Sequence, residues 1–564
     1  MKQFVLRFSD MHALPDADAV TEAFQRKLNE RGCELGTEGY SVQVTLDPGL
    51  PEGTYALSAM QESAELTAAD PCAVMAGLGE FLLGWRFEGG IAVPERHIRF
   101  TPRSRFRGLY FATHFHNFYH TAPMEAVYQQ IEDAAFRGGN AITVWYDMHH
   151  FTGIDDPASG PYLKRLQDIL CYARKLGMRT CLTMLSNEGF AGTPDRLKAS
   201  SAVQNGYHSV LDGHYGVEIC PSRPGGIEEI IRQRRSVLRA FRGCSPDYVV
   251  YWPYDQGGCT CESCAPWGTN GFLILFPYFE EAVRKELPDT RIIMSTWYFD
   301  HFIDGEWERF FDLIGQDRFK NVHWLMDFFP EGKMPDCILS HGLPADREMI
   351  AFPEISMYGG KPWGGFGANP LPSFLQRSND CGEKLYSGIS CYSEGIFEDI
   401  NKTIMLLYIS GREKDARCAI RDYASWELMT NDADSLVRLA EILEETLPRE
   451  TVLTAESVRF RIMKPDRVRE AAGIAREIDA TMPEPARSSW RWRILYLRAL
   501  IDESILRNDG FVSEETDEYL RELENIYRIV PESLRVVSPP SLSTIQNKWL
   551  KYEAEWKSEQ QNGD

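Results

Sequence analysis

Between Arg105 and about residue 400, short apolar runs alternate with longer segments whose apolar residues recur every three or four positions. The runs are RFRGLYFATHF, NAITVWYD, RTCLTMLS, DYVVYWPYD, RIIMSTWYF, NVHWLMDFF, EMIAFPEIS and YSGISCYSE. They are rich in β-branched and aromatic residues, as strands covered on both faces of a parallel sheet must be. Between the first two, TAPMEAVYQQIEDAAFRGG sets Met124, Val127, Ile131 and Ala134 on one helical face, with Thr121 as a candidate cap and Pro123 suited to the first turn. GPYLKRLQDILCYARKLG repeats the pattern through Leu163, Leu166, Ile169 and Leu170 and closes on Gly177. Eight such units over residues 104–400 predict an α/β fold, a (β/α)8 TIM barrel. A doubly wound open sheet would want a glycine-rich phosphate loop after an early strand, and none is present.

The flanks differ. Residues 1–103 combine strand patterns (YSVQVTLD, GTYALSAM) with one helical pattern, PCAVMAGLGEFLLGW, and offer no acid–base pair; they predict an N-terminal α+β accessory domain. From 401 to 564 the segments DADSLVRLAEILEETL, DRVREAAGIAREIDATM, RWRILYLRALIDESIL and ETDEYLRELENIYRIV all carry helical spacing and predict an all-helical C-terminal domain with a polar tail.

A chain of 564 residues is too long for one core. Its net charge of −22 argues against a nucleic-acid partner. No window approaches 18 uninterrupted apolar residues, so no membrane span is expected. The hydrophobic stretch in MKQFVLRFSDMHALPDADAV is too short and interrupted for a signal peptide. Thirteen cysteines, an odd number, read as mostly reduced thiols, and together these features place the protein in the cytoplasm. A homo-oligomer is compatible with the sequence.

Barrel active sites lie at the C-terminal ends of the strands. Read in order, those ends carry His114 and His116, Asp147, Glu188, Asp255, Tyr298, Asp327, Glu354 and Glu394. Buried carboxylates need water, metal or a substrate, so this many at one rim point to function. Trp145, Tyr146, Trp252, Tyr254, Trp297, Trp324, Trp363 and Tyr392 are expected at the same rim, where flat faces suit sugar rings, although aromatics also fill barrel interiors. Cleaving a glycosidic bond takes one carboxylic acid and one carboxylate, and Asp255 and Glu354 could flank a sugar. His114 and His116 form an H-x-H that could instead hold a catalytic metal with His301 and His323, although His323 falls early on its strand, where it is expected to be buried below the mouth. Cys259, Cys261 and Cys264 follow Asp255 in a C-x-C-x-x-C, three ligands for a structural zinc whose fourth would be Cys220 or a histidine; unmetallated loop thiols are the plainer reading.

EGTYALSAMQESAELTAADPCAVMAGLGEFLLGW resembles the small domain before the barrel in family 20 β-N-acetylhexosaminidases and family 67 α-glucuronidases. The order small domain, barrel, helical domain is similar to family 67 and to the family 84 and 89 N-acetylglucosaminidases. A fourth-strand acid followed by C-x-C-x-x-C resembles proteins near the family 163 endo-β-N-acetylglucosaminidases. Family 20 enzymes end the fourth strand with Asp–Glu, the Asp orienting the acetamido group and the Glu serving as acid; here the pair is Asp255–Gln256. Family 67 places acids at strands four, six and seven, matched by Asp255, Asp327 and Glu354, with Lys361 or Arg107 as a cation for a uronate.

The resemblance implies a glycoside hydrolase for small glycans or glycosides that requires no cofactor, with N-acetylhexosaminides slightly favoured and an α-glucuronidase, a metal-dependent hydrolase or a non-catalytic carbohydrate binder as alternatives. Asp255 would be the general acid or the acetamido-orienting group, and Glu354 the nucleophile or base. Asp327 and Glu394 would be supporting or alternative acids. His114, His116, Trp145, Asp147, Trp252, Tyr254, Trp297, Tyr298, Lys361, Trp363 and Tyr392 would line the substrate.

Overall fold

The computed structural model describes residues 2–527, apart from 88–89, 115–116, 212, 357–366, 431, 448 and 454–457. His116, Lys361, Trp363 and the polar tail lie outside these residues.

Six strands form the N-terminal sheet: β1 (Lys2–Phe8), β2 (Cys33–Leu35), β3 (Tyr40–Leu46), β4 (Tyr55–Ala59), β5 (Ser63–Ala68) and β6 (Arg96–Phe100). Their order is β2-β1-β3-β5-β4-β6, parallel up to β5 and antiparallel through β4 and β6. The expected strands are β3 and β4. The expected helix is Pro71–Leu83, which starts where the Asp70 carboxylate accepts the Ala73 N–H and Pro71 fills the first turn. It is buried on nearly every side because the sheet covers one face and the barrel helix Met124–Phe136 the other.

All eight expected runs form strands, in order: β7 (Phe106–Phe111), β8 (Ala141–Trp145), β9 (Arg179–Leu185), β10 (Tyr248–Trp252), β11 (Arg291–Ser295), β12 (Val322–Asp327), β13 (Met349–Ala351) and β14 (Tyr386–Ser393). Every neighbouring pair is parallel, and β14 pairs with β7 to close the barrel. The strands are shorter than the apolar runs because the ends of the runs turn into loops at the mouth. Thr121 does not cap Met124–Phe136; it closes the preceding turn, Phe118–Thr121, with its hydroxyl on the Asn117 carbonyl at 3.2 Å.

Successive side chains of a strand face opposite sides, so alternate residues fill the barrel. Phe106, Tyr248 and Trp324 pack together at the N-terminal end, with Trp324 5.4 Å from Phe106 and 5.2 Å from Tyr248, ring centre to ring centre. Trp324 is therefore at the floor, not the rim. His323, expected to be buried, is exposed and stacks on Tyr248. Both follow Val322, the first residue of β12, which explains their depth.

The C-terminal region consists of helices Ala416–Leu428, Ala433–Glu445, Pro465–Thr481, Trp490–Arg507 and Glu514–Tyr527, interrupted by an antiparallel hairpin, β15 (Arg449–Leu453) and β16 (Val458–Ile462), that the helical reading lacked. The helix before it, Asp399–Ser410, packs on β7 and β14. Among the described residues, no helix is long and apolar enough to cross a membrane.

Three cations and three carboxylates knit the regions together out of water. Lys27, from the N-terminal helix Ala17–Asn29, reaches Asp133 (2.7 Å) and Glu427 (3.0 Å). Arg137 holds both oxygens of Asp399 (2.9 and 3.0 Å) and one of Glu427 (2.9 Å). Arg491 pairs with Asp133, Asp399 and Glu427. Burial alone would raise the Asp399 carboxyl, but Arg137 and Arg491 hold it below its ordinary range. Removing one partner strands buried charge, whereas the balanced set is tolerated. Asp399→Asn should therefore lower the unfolding free energy by about 3–5 kcal/mol in urea titrations; a variant as stable as the parent would show that the network does not join the regions.

Candidate active site

Inward alternation continues past the strand ends and selects the groups at the mouth. Tyr110, Trp145, Trp252, Phe352 and Tyr392 form an aromatic layer: Tyr110 stacks on Tyr392 at 5.5 Å, and Phe352 meets Trp252 edge-on at 4.8 Å. Two residues further along their chains, the same parity puts Asp147, Glu354 and Glu394 above that layer, and His114, four residues past Tyr110, joins them. Trp297 joins them beyond β11, half-buried and 5.8 Å from Trp252, with Tyr298 against it.

Glu354 and Glu394 come from adjacent strands. Glu354 forms a bridge with Tyr392 and accepts both the N–H and the hydroxyl of Ser356 on one oxygen, each at 2.8 Å. Such paired donors suit a charged carboxylate. Glu394 is buried, and its carboxyl accepts the Tyr392 hydroxyl at 3.3 Å. Burial, then the charges of Glu354 and Glu398, push its pKa well above the carboxylate range. The surroundings of the two neighbouring carboxyls thus differ: Glu354 is supplied with two donors, whereas burial and the charge of Glu354 favour the protonated form of Glu394.

Asp255 shares this neighbourhood. Burial raises the Tyr392 phenol first, and the charges of Glu394, Glu354 and Asp255 all add to the shift. Tyr110 is raised by burial, then Tyr162, and by Asp255, Asp147 and Glu188. Asp255, Glu354 and Glu394 therefore all lie within electrostatic reach of the Tyr392 ring. Asp255 (φ 55°) and Gln256 (φ 68°) are consecutive left-handed residues, a strain of about 1–3 kcal/mol each that persists only where surroundings enforce it. Gly213 faces them so closely that a Cβ there would lie 2.8 Å from an Asp255 oxygen.

The opposite wall is built on Asp147. Its carboxylate pairs with His149 and with His150, the latter at 3.1 Å. Glu188 accepts the N–H groups of Met148 (2.9 Å) and His149 (3.2 Å). Burial would lower the His149 pKa, but its bonds to Asp147 and Glu188 raise it to about 9, so it is an imidazolium at neutral pH. His114 shows the opposite balance: burial lowers it to about 4 and keeps it neutral against Trp145. Tyr215 stacks on His149 at 3.5 Å, and Glu218 holds the Tyr215 N–H (2.7 Å) and the His214 ring (3.0 Å).

Three expected positions lie elsewhere. Asp327 follows inward-facing Met326, so alternation turns it outward, where Thr296 Oγ and the Phe328 N–H donate to it at 2.7 Å; burial raises it to about 7. Tyr254 is buried behind the loop with its hydroxyl on Glu306 at 2.6 Å. Arg107 points out near the barrel floor and donates to the carbonyls of Gly138 and Ser104. Conversely, His149, His150, His214, Tyr215 and Glu218 were not expected. The MHH after Asp147 could have flagged the first two, but the loop carrying the others has no periodic signal.

The C-x-C-x-x-C thiols lie just behind Asp255, and the structure brings Cys220 to them. Among the described residues, the other group with metal-ligand spacing is Asp147, His149 and His150; His114 is in neither.

No protein-family model matches the chain, and no curated protein matches it in sequence. Solved structures do match. A GH138 enzyme targeting pectin rhamnogalacturonan II superposes with a TM-score of 0.54 over 93% of this chain and 72% of its own, at 10% identity. The GH20 β-N-acetylhexosaminidase of Streptomyces coelicolor A3(2) gives 0.49 over 78% and 92%, at 12% identity. A GH20 exo-β-N-acetylglucosaminidase from Vibrio harveyi gives 0.47 over 80% and 75%, at 16% identity. The chain shares the fold of the GH138 enzyme.

Glu306 braces the loop through Tyr254, Gly268 and Asp300. Burial raises its pKa from 4.5 to about 8. Folding therefore takes up a proton between those values, and stability is full below the lower one and declines as pH rises toward the upper. In urea melts across that window, Glu306→Gln should remove up to one proton of slope, about 1.4 kcal/mol per pH unit. An unchanged slope would refute the protonated carboxyl.

Proposed function

We propose that the chain is a glycoside hydrolase in which Glu394 is the proton donor and Glu354 the charged carboxylate beside the anomeric carbon. The observation that carries this reading is the Glu354–Glu394 pair on adjacent strands: two Ser356 donors meet one oxygen of Glu354, while burial, then the charge of Glu354, raises Glu394. Such a difference in surroundings is how one site holds acid and base together. Glu394 would give its proton to the leaving glycosidic oxygen as the C–O bond breaks. Glu354 would stabilise the anomeric carbon, directly or through the attacking water, according to the spacing of the two groups in the complex. Water supplies the new hydroxyl; its remaining proton goes to Glu394 when Glu354 acts directly, and to Glu354 when it acts through the water, in which case Glu354 releases a proton to solvent and Glu394 regains one from it.

Asp255 and Asp147, with its two histidines, would bind sugar hydroxyls or an acetamido group, and Trp297 would stack on the ring. Gln256 cannot serve as an acid, so the family 20 assignment of the donor to that position is replaced by Glu394. The described mouth residues carry Asp147, Asp255 and Glu354 against His149, which favours a neutral sugar such as an N-acetylhexosaminide over a uronide. The fold shared with a pectin-targeting GH138 enzyme supports the carbohydrate class.

Glu354→Gln and Glu394→Gln should each reduce kcat on aryl glycosides by about 10²- to 10⁴-fold. Parental activity should fall as pH rises through the elevated Glu394 pKa, and that alkaline limb should vanish in Glu394→Gln assayed with an activated leaving group. Undiminished turnover in both variants would exclude the roles. Tight sugar binding without turnover in the parent would instead identify a carbohydrate-binding relative.

A further inference from the structure

Two loops meet behind Asp255 through sulfur. Cys220 lies on the long connection after β9, which also carries Tyr215 and Glu218; Cys259, Cys261 and Cys264 lie on the connection after β10, which also carries Asp255. The four Sγ atoms all fall within 4.8 Å of one another. Cys220 Sγ is 3.7 Å from that of Cys261 and 3.9 Å from that of Cys264. Four thiolates at about 2.3 Å from a common zinc ion, at tetrahedral corners, stand about 3.8 Å apart. A disulfide would bring two sulfurs to about 2.05 Å. The spacing is that of a cage, not of two pairs.

The backbone around the sulfurs is already committed to this arrangement. The N–H groups of Cys264 and Ala265 both donate to the Cys261 carbonyl at 3.0 Å, a tight turn that curls the last two thiols toward one point. Cys220 donates to Leu197 O and Thr260 to Ser200 O, each at 2.8 Å, so one short segment holds both loops. Asn187 bridges them again: its amide group donates to Ile219 O (3.0 Å) and Gly258 O (2.8 Å) and accepts the Gly258 N–H (2.8 Å). Gly258 sits at φ 115°, where a Cβ would also strike Leu211 at 2.6 Å. Three of the thiols are buried and Cys261 is half-buried.

We propose that Cys220, Cys259, Cys261 and Cys264 form a closed tetrathiolate site for a structural zinc ion that ties the loop carrying Asp255 to the loop carrying Tyr215 and Glu218. Four protein thiolates leave no open position, so the ion braces the mouth and takes no part in its chemistry. The proposal does not depend on the mouth cleaving sugars.

The test is metal content and spectroscopy on the full chain purified from zinc-replete cells under reducing conditions. We expect one zinc per chain, retained through gel filtration, and a Cys220→Ser variant that has lost it. Cobalt exchanged into the site should show thiolate-to-metal charge-transfer absorption and the visible bands of a tetrahedral centre. The zinc-free chain should melt at a lower temperature and recover on adding zinc. If Cys220→Ser fails to fold, the zinc content and cobalt spectrum of the parent still decide. A folded parent with no bound zinc, a cobalt spectrum without thiolate bands, or an intact mass showing two disulfides among these cysteines would each overturn the site.

Discussion

The two-residue alternation of a strand, applied eight times around a closed barrel, is the constraint on which the rest depends. Once β14 pairs with β7, each strand must send every second side chain inward, and the interior accepts only what packs. Large rings occupy that space: Phe106, Tyr248 and Trp324 at the floor, Tyr110, Trp145, Trp252, Phe352 and Tyr392 above. The next inward positions stand on a full aromatic layer. At that height the sequence places Asp147, Glu354 and Glu394, and the electrostatic character of the mouth follows.

A carboxyl on such a layer can be neutralised by a proton, by a cation or by donors, and the mouth uses all three. Burial and the charge of Glu354 raise Glu394 and favour its protonated form. Asp147 is held below its ordinary range by His149 and His150 despite burial. Glu354 takes two donors from Ser356. Chemically identical groups a few residues past their strand ends thus acquire different states from their surroundings, which is what acid–base chemistry at one site requires. The strain at Asp255 and Gln256, and the sulfur cage behind them, belong to the same economy of position: a loop held left-handed at two residues needs a firm anchor.

The barrel was legible because parallel strands covered on both faces appear as short continuous apolar runs, and the helices between them keep one apolar stripe. The strand ends identified Asp255, Glu354 and Glu394 as sharing a mouth. Depth and facing were less visible. Asp327 ends β12 as a catalytic acid would, yet parity counted from Met326 turns it outward. Trp324 and His323 belong to the opposite end of the same strand. The residues that no periodicity could reveal lie on the long loop between β9 and the next helix, where Tyr215, Glu218 and Cys220 come within reach only through tertiary hydrogen bonds such as those of Asn187. Strand β1 and the hairpin β15–β16 escaped sequence reading, the hairpin because it interrupts a run of helical spacing.

The central claim is that Glu354 and Glu394 work as a pair on one sugar. A crystal structure of the Glu354→Gln chain with an uncleaved glycoside tests it most directly. The account predicts the glycosidic oxygen within hydrogen-bond distance of the Glu394 carboxyl, with the anomeric carbon facing residue 354. A sugar whose glycosidic oxygen faces Asp255, with Glu394 turned away behind Tyr392, would contradict it.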